Sequence, residues 1–181
     1  MPAQDKILYT PLGLKGVFGI QASEYLDHRG SLFRLWDEEI FPVEFNIFQI
    51  SYITNPRSGT LRGLHFQIDP FEEAKVIQCV SGKVFDVLID LRKTSDTYGA
   101  HLEVEIGPNS LFQGLIVPVG FAHGYLTLES NSDLIYFTDK AYSSKHSRGI
   151  IWSDSGLGIN WPEVPEFISE RDKFWPTFNH E

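Results

Sequence analysis

His65, Lys75 and His123 are the residues of this chain whose types and spacing could do chemistry. His65 closes the run Gly59-Thr-Leu-Arg-Gly-Leu-His65 and is followed by Phe66 and Gln67. Lys75 stands seven residues before Gly82, and His123 closes Pro118-Val-Gly120-Phe-Ala-His123. A neutral imidazole can take a proton or ligate a metal near physiological pH. A divalent metal wants three or four neutral imidazoles or carboxylates. A protonated lysine among such groups opposes the ion with a fixed positive charge. In a dry pocket the same cation can stabilise a developing oxyanion, so the set keeps an electrophilic function without a metal. Asp86, inside the apolar Phe85-Asp86-Val87, would be costly if unpaired and is expected to pair with Lys75 or His123.

These residues need short, rigid elements to hold them, and the sequence supplies strands. Fifteen glycines and ten prolines punctuate segments rich in Val, Ile, Phe and Tyr, the pattern of an all-β sandwich or barrel. Phe45 to Ile53 mixes alternation with apolar runs. Ala74 to Val80 and Lys83 to Asp90 read as strands joined by a hairpin turn at Ser81-Gly82. His101 to Ile106 alternates, and Leu111 to Val117, Gly124 to Leu128 and Asp133 to Thr138 complete an antiparallel series. Helical signals are confined to Asp37–Ile40 and Ser169–Phe174. From Trp152 onward the chain becomes irregular, with Trp161-Pro162-Glu163-Val164-Pro165 at its centre. Residues 1–181 are expected to form one domain, with residues 152–181 as a C-terminal arm packed on the barrel.

Composition narrows the function. A length of 181 residues suits a single core, and 42% hydrophobic with 22% charged residues is ordinary for a globular protein. The net charge of −9 argues against a nucleic-acid coat or a polybasic membrane surface. An anionic small substrate needs only a local cluster of arginines. Cys79, the single cysteine, rules out an internal disulfide framework and reads as a buried thiol in Val76–Val80. MPAQDKILYT has no apolar leader region, so a cytoplasmic protein is expected.

The glycine spacings and Pro-x-Gly-x-x-His resemble the paired motifs of cupin barrels, with His65, Gln67, Lys75 and His123 in the four ligand places. Leu61-Arg-Gly-Leu-His-Phe-Gln67, Glu73-Ala-Lys-Val76, Val117-Pro-Val-Gly-Phe-Ala-His-Gly124 and Gly158-Ile-Asn-Trp-Pro162 are similar to the dTDP-4-dehydrorhamnose 3,5-epimerases, from about Asp27 to Asp172. The resemblance implies a mainly β fold, a cupin-type antiparallel β-barrel (jelly roll) with short terminal helices, and no metal or other cofactor. It implies a nucleotide-linked 4-keto-6-deoxy sugar as substrate, whose C3 and C5 protons are α to the ketone. Such chemistry needs a base, an acid on the opposite face and a group to hold the enolate. By resemblance His65 is the base, Asp172 its paired carboxylate, Tyr136 the opposing acid and Lys75 the enolate cation, with His123 on the same floor. Arg29 and Arg62 match diphosphate contacts, for which the guanidinium fork is suited, and Tyr142 matches an aromatic that stacks on thymine. The family also implies a homodimer with exchanged N-terminal strands, in which Arg29 reaches the partner's pocket. The apolar segment Phe41 to Ile53 could serve as its edge strand.

Three positions depart from the family. Arg34 and Ser147 stand where acids are common, and Ile50-Ser-Tyr52 aligns with a usual Gln-x-Asn, though Gln49 lies one residue away and could substitute. The reversed charge at Arg34 could favour a different base, or simply re-pair with a neighbouring acid such as Glu38 or Glu39. The departures bear on which sugar nucleotide is taken. A mono-epimerase or ketoisomerase on a related nucleotide sugar, or a non-catalytic sugar-binding cupin, are the alternatives. Gln67 and Lys75 disfavour a metal-dependent oxygenase.

Overall fold

The computed structural model describes residues 7–179, so part of the N-terminal stretch read for a leader, residues 1–6, lies outside the described residues. Alternating side chains build two sheets that face one another. The first contains β1 (Leu8–Pro11), β2 (Phe18–Gln21), β10 (Gly114–Val117), β7 (Lys75–Ser81), β12 (Ser132–Thr138) and β5 (Gln49–Asn55), in that order. The second contains β13 (Ser147–Gly149), β6 (Thr60–Gln67), β11 (Phe121–Thr127), β8 (Val84–Asp90) and β9 (His101–Ile106), with β14 (Phe167–Ile168) added parallel to β6. A separate hairpin, β3 (Glu24–Asp27) and β4 (Gly30–Phe33), pairs only with itself among the described residues. This is the expected cupin-like jelly roll.

Period-two alternation sorts the core into layers. Ile77 and Cys79 of β7, Leu115 of β10 and Leu134 of β12 point inward to meet Val84 and Leu88 of β8 and Tyr125 of β11. Val76, Ile116 and Phe137, one residue out of phase, face outward and are covered by Trp36, Phe41 and Phe45. Val87 and Ile89 do the same on the second sheet, under Leu157, Trp161 and Phe178 of the C-terminal arm. Lys75 shares parity with Ile77, and Asp86 with Leu88, so both polar groups point between the sheets.

Several local expectations are corrected. Ser81-Gly82 is not a hairpin turn: β7 pairs with β10 and β12, whereas β8 pairs with β11 and β9, so this joint crosses between sheets. Phe45–Phe48 is not strand. Ser169–Phe174 forms hydrogen-bonded turns instead of a helix, with the Asp172 and Lys173 amides on the Ser169 carbonyl. At the other helical signal a single 3-10 turn, Glu38–Ile40, forms with Asp37 as its N-cap. Arg34 re-pairs with Asp37 at 2.9 Å, not with Glu38 or Glu39. Among the described residues no helix is long and apolar enough to cross a membrane.

Candidate active site

A cleft of about 690 Å³ opens between the two sheets, within the size range of small-molecule sites. Its lining brings together Arg62 and His65 from β6, His123 from β11, Lys75 from β7 and Tyr136 from β12. The C-terminal arm closes one side with Phe167, Ser169, Arg171 and Asp172.

One backbone irregularity sets this lining. Arg62 and His65 are three apart, so strict alternation would send them to opposite faces. β6 and β11 slip register between the pairs His65–His123 and Arg62–Tyr125, which returns both side chains to the inner face. The slip occurs at Gly63, whose φ is +125° and whose Cα–H side presses on Gly124. A Cβ on Gly63 would lie 2.5 Å from the Gly124 Cα, so neither strand could approach as closely with larger residues.

His65 keeps a 36% exposed side chain while Asp172 keeps 5%, so a substrate can reach the imidazole but not the carboxylate. His65 Nε2 meets Asp172 Oδ1 at 2.5 Å. Burial would raise the Asp172 carboxyl, but hydrogen bonding and charge from His65, with a further hydrogen bond from Trp175, outweigh it and hold it below the usual carboxylate value. The carboxylate therefore stays ionised beside an imidazole that can receive a proton. Such a partner fixes the ring and favours the imidazolium.

Tyr136 lies on the opposing sheet. It pairs with Ile77 on the strand beside Lys75, and its hydroxyl has no hydrogen-bond partner among the described residues. Burial, then the neighbouring Tyr125 and Asp86, push its phenol well above 10.0, so the phenol stays protonated. Its ring meets His123 edge on, with centroids 5.7 Å apart. Lys75 Nζ reaches Glu73 at 3.0 Å in a nearly enclosed pair.

Asp86 meets one of its two expected partners: its Oδ2 lies 2.8 Å from His123 Nε2. Burial pushes this carboxyl up, against the pull of His123 and Lys75. Its Oδ1 has no partner among the described residues, an omission that ordinarily costs about 1–3 kcal/mol. No three His, Cys, Asp or Glu side chains among the described residues converge in a way that could hold a metal ion.

The other sequence candidates are more dispersed. Arg62 donates to Asn55 Oδ1 at 2.9 Å and turns toward the cleft, with no carboxylate partner among the described residues. Gln67 does not line the cleft. Its amide is consumed by the Phe71 and Ala141 carbonyls, the Glu73 carboxylate and the Ser143 amide. Through Glu73 it braces Lys75. Gln49 donates to Ser51 Oγ at 3.1 Å, and both alternate inward, whereas Ile50 and Tyr52 are exposed on the outer side. The inward positions of this stretch are therefore Gln49 and Ser51, and Tyr52 faces away from the cleft. Tyr142 is 55% exposed near the rim, where Arg171 Nη1 reaches its hydroxyl at 3.2 Å. Arg29 stands away from the cleft at the tip of the β3–β4 hairpin, paired with Asp27.

Arg171 and Trp175 escaped the sequence reading. Arg171 lines the cleft, donates to Ser147 Oγ at 2.7 Å and stacks over the Trp175 ring. The available signal was adjacency: Arg171 directly precedes Asp172 in the run that carried the carboxylate.

Comparison with known proteins agrees with the geometry. A family model for dTDP-4-dehydrorhamnose 3,5-epimerase matches residues 11–180. A protein of that description from Sinorhizobium fredii is 34% identical over 177 residues, 96% of this chain and 90% of that one. The crystal structure of a Bacillus anthracis dTDP-4-dehydrorhamnose 3,5-epimerase with TDP and PPi bound superposes with a TM-score of 0.90 at 29% identity, covering 96% of this chain and 100% of that one. A 3'-monoepimerase from Streptomyces bikiniensis in complex with dTDP-quinovose is also similar, with TM-score 0.84 at 28% identity, covering 92% of this chain and 86% of that one.

Proposed function

The chain belongs to the dTDP-4-dehydrorhamnose 3,5-epimerase family, and from that premise we propose how its cleft carries out the reaction. The protein is an epimerase of a nucleotide-linked 4-keto-6-deoxy sugar. His65, braced by Asp172, takes the proton α to the C4 ketone. Lys75 holds the negative charge that develops on the C4 oxygen, and Tyr136 returns a proton from the other side. A single observation carries this reading: His65 projects from one sheet and Tyr136 from the other, into one cleft. Abstraction and return from opposite faces of a ring are what inversion requires.

The nucleotide end is assigned to the rim. Arg62 and Arg171 are cations in the cleft without carboxylate partners among the described residues, suited to a diphosphate. Tyr142 offers an exposed ring for the base, with Gln49 beside it. His123, set by Asp86, lines the floor by Lys75. Gln67 contributes indirectly, through Glu73.

A homodimer with exchanged N-terminal strands is supported by unmatched apolar surface. Leu26 and Leu32 of the detached hairpin are 75% and 63% exposed, and Phe48, Ile50 and Tyr52 near or on edge strand β5 are 59–68% exposed. Such surface is unusual for a monomer. In that dimer Arg29 at the hairpin tip reaches the partner's cleft. The same reading takes the chain as one domain, since the arm covers the second sheet and supplies Asp172.

The test is solvent exchange. Incubation with dTDP-4-keto-6-deoxyglucose in heavy water, followed by NMR at C3 and C5, should show deuterium at both. Incorporation at one carbon alone would make it a mono-epimerase. Binding without incorporation would overturn the enzymatic reading for this substrate.

A further inference from the structure

Trp175 is not part of the cleft wall, yet it touches three residues that are. Its indole Nε1 donates to Asp172 Oδ1 at 3.0 Å, the same oxygen that His65 Nε2 meets at 2.5 Å. Its ring meets the His65 imidazole edge on, with centroids 6.1 Å apart and planes at 71°. Its face carries the Arg171 guanidinium, 4.6 Å from the ring centroid. Arg171 then reaches Tyr142 and Ser147 at the rim. The seat for this indole is Gly149, which pairs with His65 across β13 and β6; a Cβ there would overlap the ring.

We propose that Trp175 is a positioning residue with two separable roles in the epimerase. Its N–H holds Asp172 Oδ1 on the His65 nitrogen, and its π face holds Arg171 at the nucleotide end of the cleft. The first role follows from how few donors Asp172 has. Among the described residues, beyond His65 and Trp175, the Ser169 side chain also favours the ionised carboxylate, and the Gly63 amide approaches Oδ2 only at 3.5 Å, a long and weak contact. Without the indole N–H, the carboxylate loses its second strong anchor and can rotate away from the imidazole. The imidazolium formed on abstraction then loses its aligned counter-charge. The second role needs no N–H, because a cation is attracted by the face of any aromatic ring. Of the aromatic residues, phenylalanine keeps the face and lacks the donor.

That difference supplies the test, which rests on His65 acting as the base. Trp175→Phe should lower kcat about tenfold, equivalent to about 1.4 kcal/mol, with KM for dTDP-4-keto-6-deoxyglucose changed less than about twofold. Trp175→Ala should lower kcat similarly and also raise KM about tenfold. A purely structural Trp175 would instead give a near-normal Phe variant and an impaired Ala variant. A second readout needs no substrate: in a ¹³C NMR titration, the Asp172 carboxyl of Trp175→Phe should titrate at higher pH than in the parent protein. An unchanged kcat in the Phe variant, or an unmoved Asp172 titration, overturns the proposal. A parent protein inactive on this sugar overturns the functional reading alone, because the carboxyl titration still decides the role of Trp175.

Discussion

Replacing Gly63 by alanine tests whether the register slip in β6 needs a residue without a side chain. Two costs combine at this position. A φ of +125° is strained for any L side chain, a penalty of about 1–3 kcal/mol. The new Cβ would also lie 2.5 Å from the Gly124 Cα and 2.8 Å from the His123 carbonyl oxygen. All of these are backbone atoms of β11 with no flexible side chain to yield, and overpacking of this kind costs about 1–3 kcal/mol more. The expected total is roughly 2–6 kcal/mol, against a usual domain stability of about 5–15 kcal/mol. Two further variants separate the costs. Gly124→Ala has the crowding, with the Arg62 carbonyl oxygen 2.9 Å from the new Cβ, but no positive φ. Gly13→Ala has a φ of +68° in open space, a strain of about 1–2 kcal/mol. Urea denaturation should therefore rank Gly63→Ala as the most damaging of the three. At about 2–4 °C per kcal/mol for a chain of this size, its melting temperature should fall by roughly 4–24 °C. Any Gly63→Ala protein that folds should lose activity as well, because Arg62 and His65 would no longer share a face. A Gly63→Ala variant as stable as Gly13→Ala would refute the crowding argument.

Further outcomes follow from the same contacts. Asp172→Asn keeps the shape of the dyad but loses the charge that supports the imidazolium, so kcat should fall on the order of 10³-fold with the melting temperature little changed. Acid stability should be governed in part by Asp90: burial would raise its carboxyl, but Arg92, Ser95 and Thr97 outweigh it and hold it well below 3.8. A depressed carboxyl stabilises the fold fully above its unfolded value and loses that contribution as pH falls through the folded value. Urea midpoints should therefore drop below about pH 4, and Asp90→Asn should flatten that drop while lowering stability at neutral pH. Finally, mixing inactive His65→Ala with impaired Arg29→Ala should restore activity if each cleft borrows Arg29 from its partner, since one cleft of the mixed dimer is then complete. No recovery after verified subunit exchange would sink the shared-site reading.

Strand signals made much of the fold legible: His101 to Ile106 alternates, and Lys83 to Asp90 and Asp133 to Thr138 are short, mostly apolar runs of strand length. Pairing was harder to read. Ser81-Gly82 announces a turn, yet nothing local says whether the chain doubles back within one sheet or crosses to the other; the packing of β7 against β12 decides it. The Ser169–Phe174 reading failed for a related reason. Its residues tolerate a helix, but β14 anchors the segment on β6 and Asp172 is drawn to His65. At the site, His65, Lys75 and His123 were visible because glycines and a proline frame them. Gln67 occupies a ligand place by resemblance to the cupin motifs, but four hydrogen bonds commit it elsewhere. Arg171 and Trp175 lacked any such frame, and only the folded arm gives them partners.

The central claim, a base and an acid on opposed sheets, is tested most directly by Tyr136→Phe in heavy water. With dTDP-4-keto-6-deoxyglucose, the variant should still wash deuterium into the carbon that His65 can reach, with retained configuration, while epimerised product falls by two orders of magnitude or more, on the scale of about 10²–10⁴-fold for a lost general acid. His65→Ala should show neither exchange nor product. Inversion at an undiminished rate in Tyr136→Phe, or exchange that survives His65→Ala, would contradict the account.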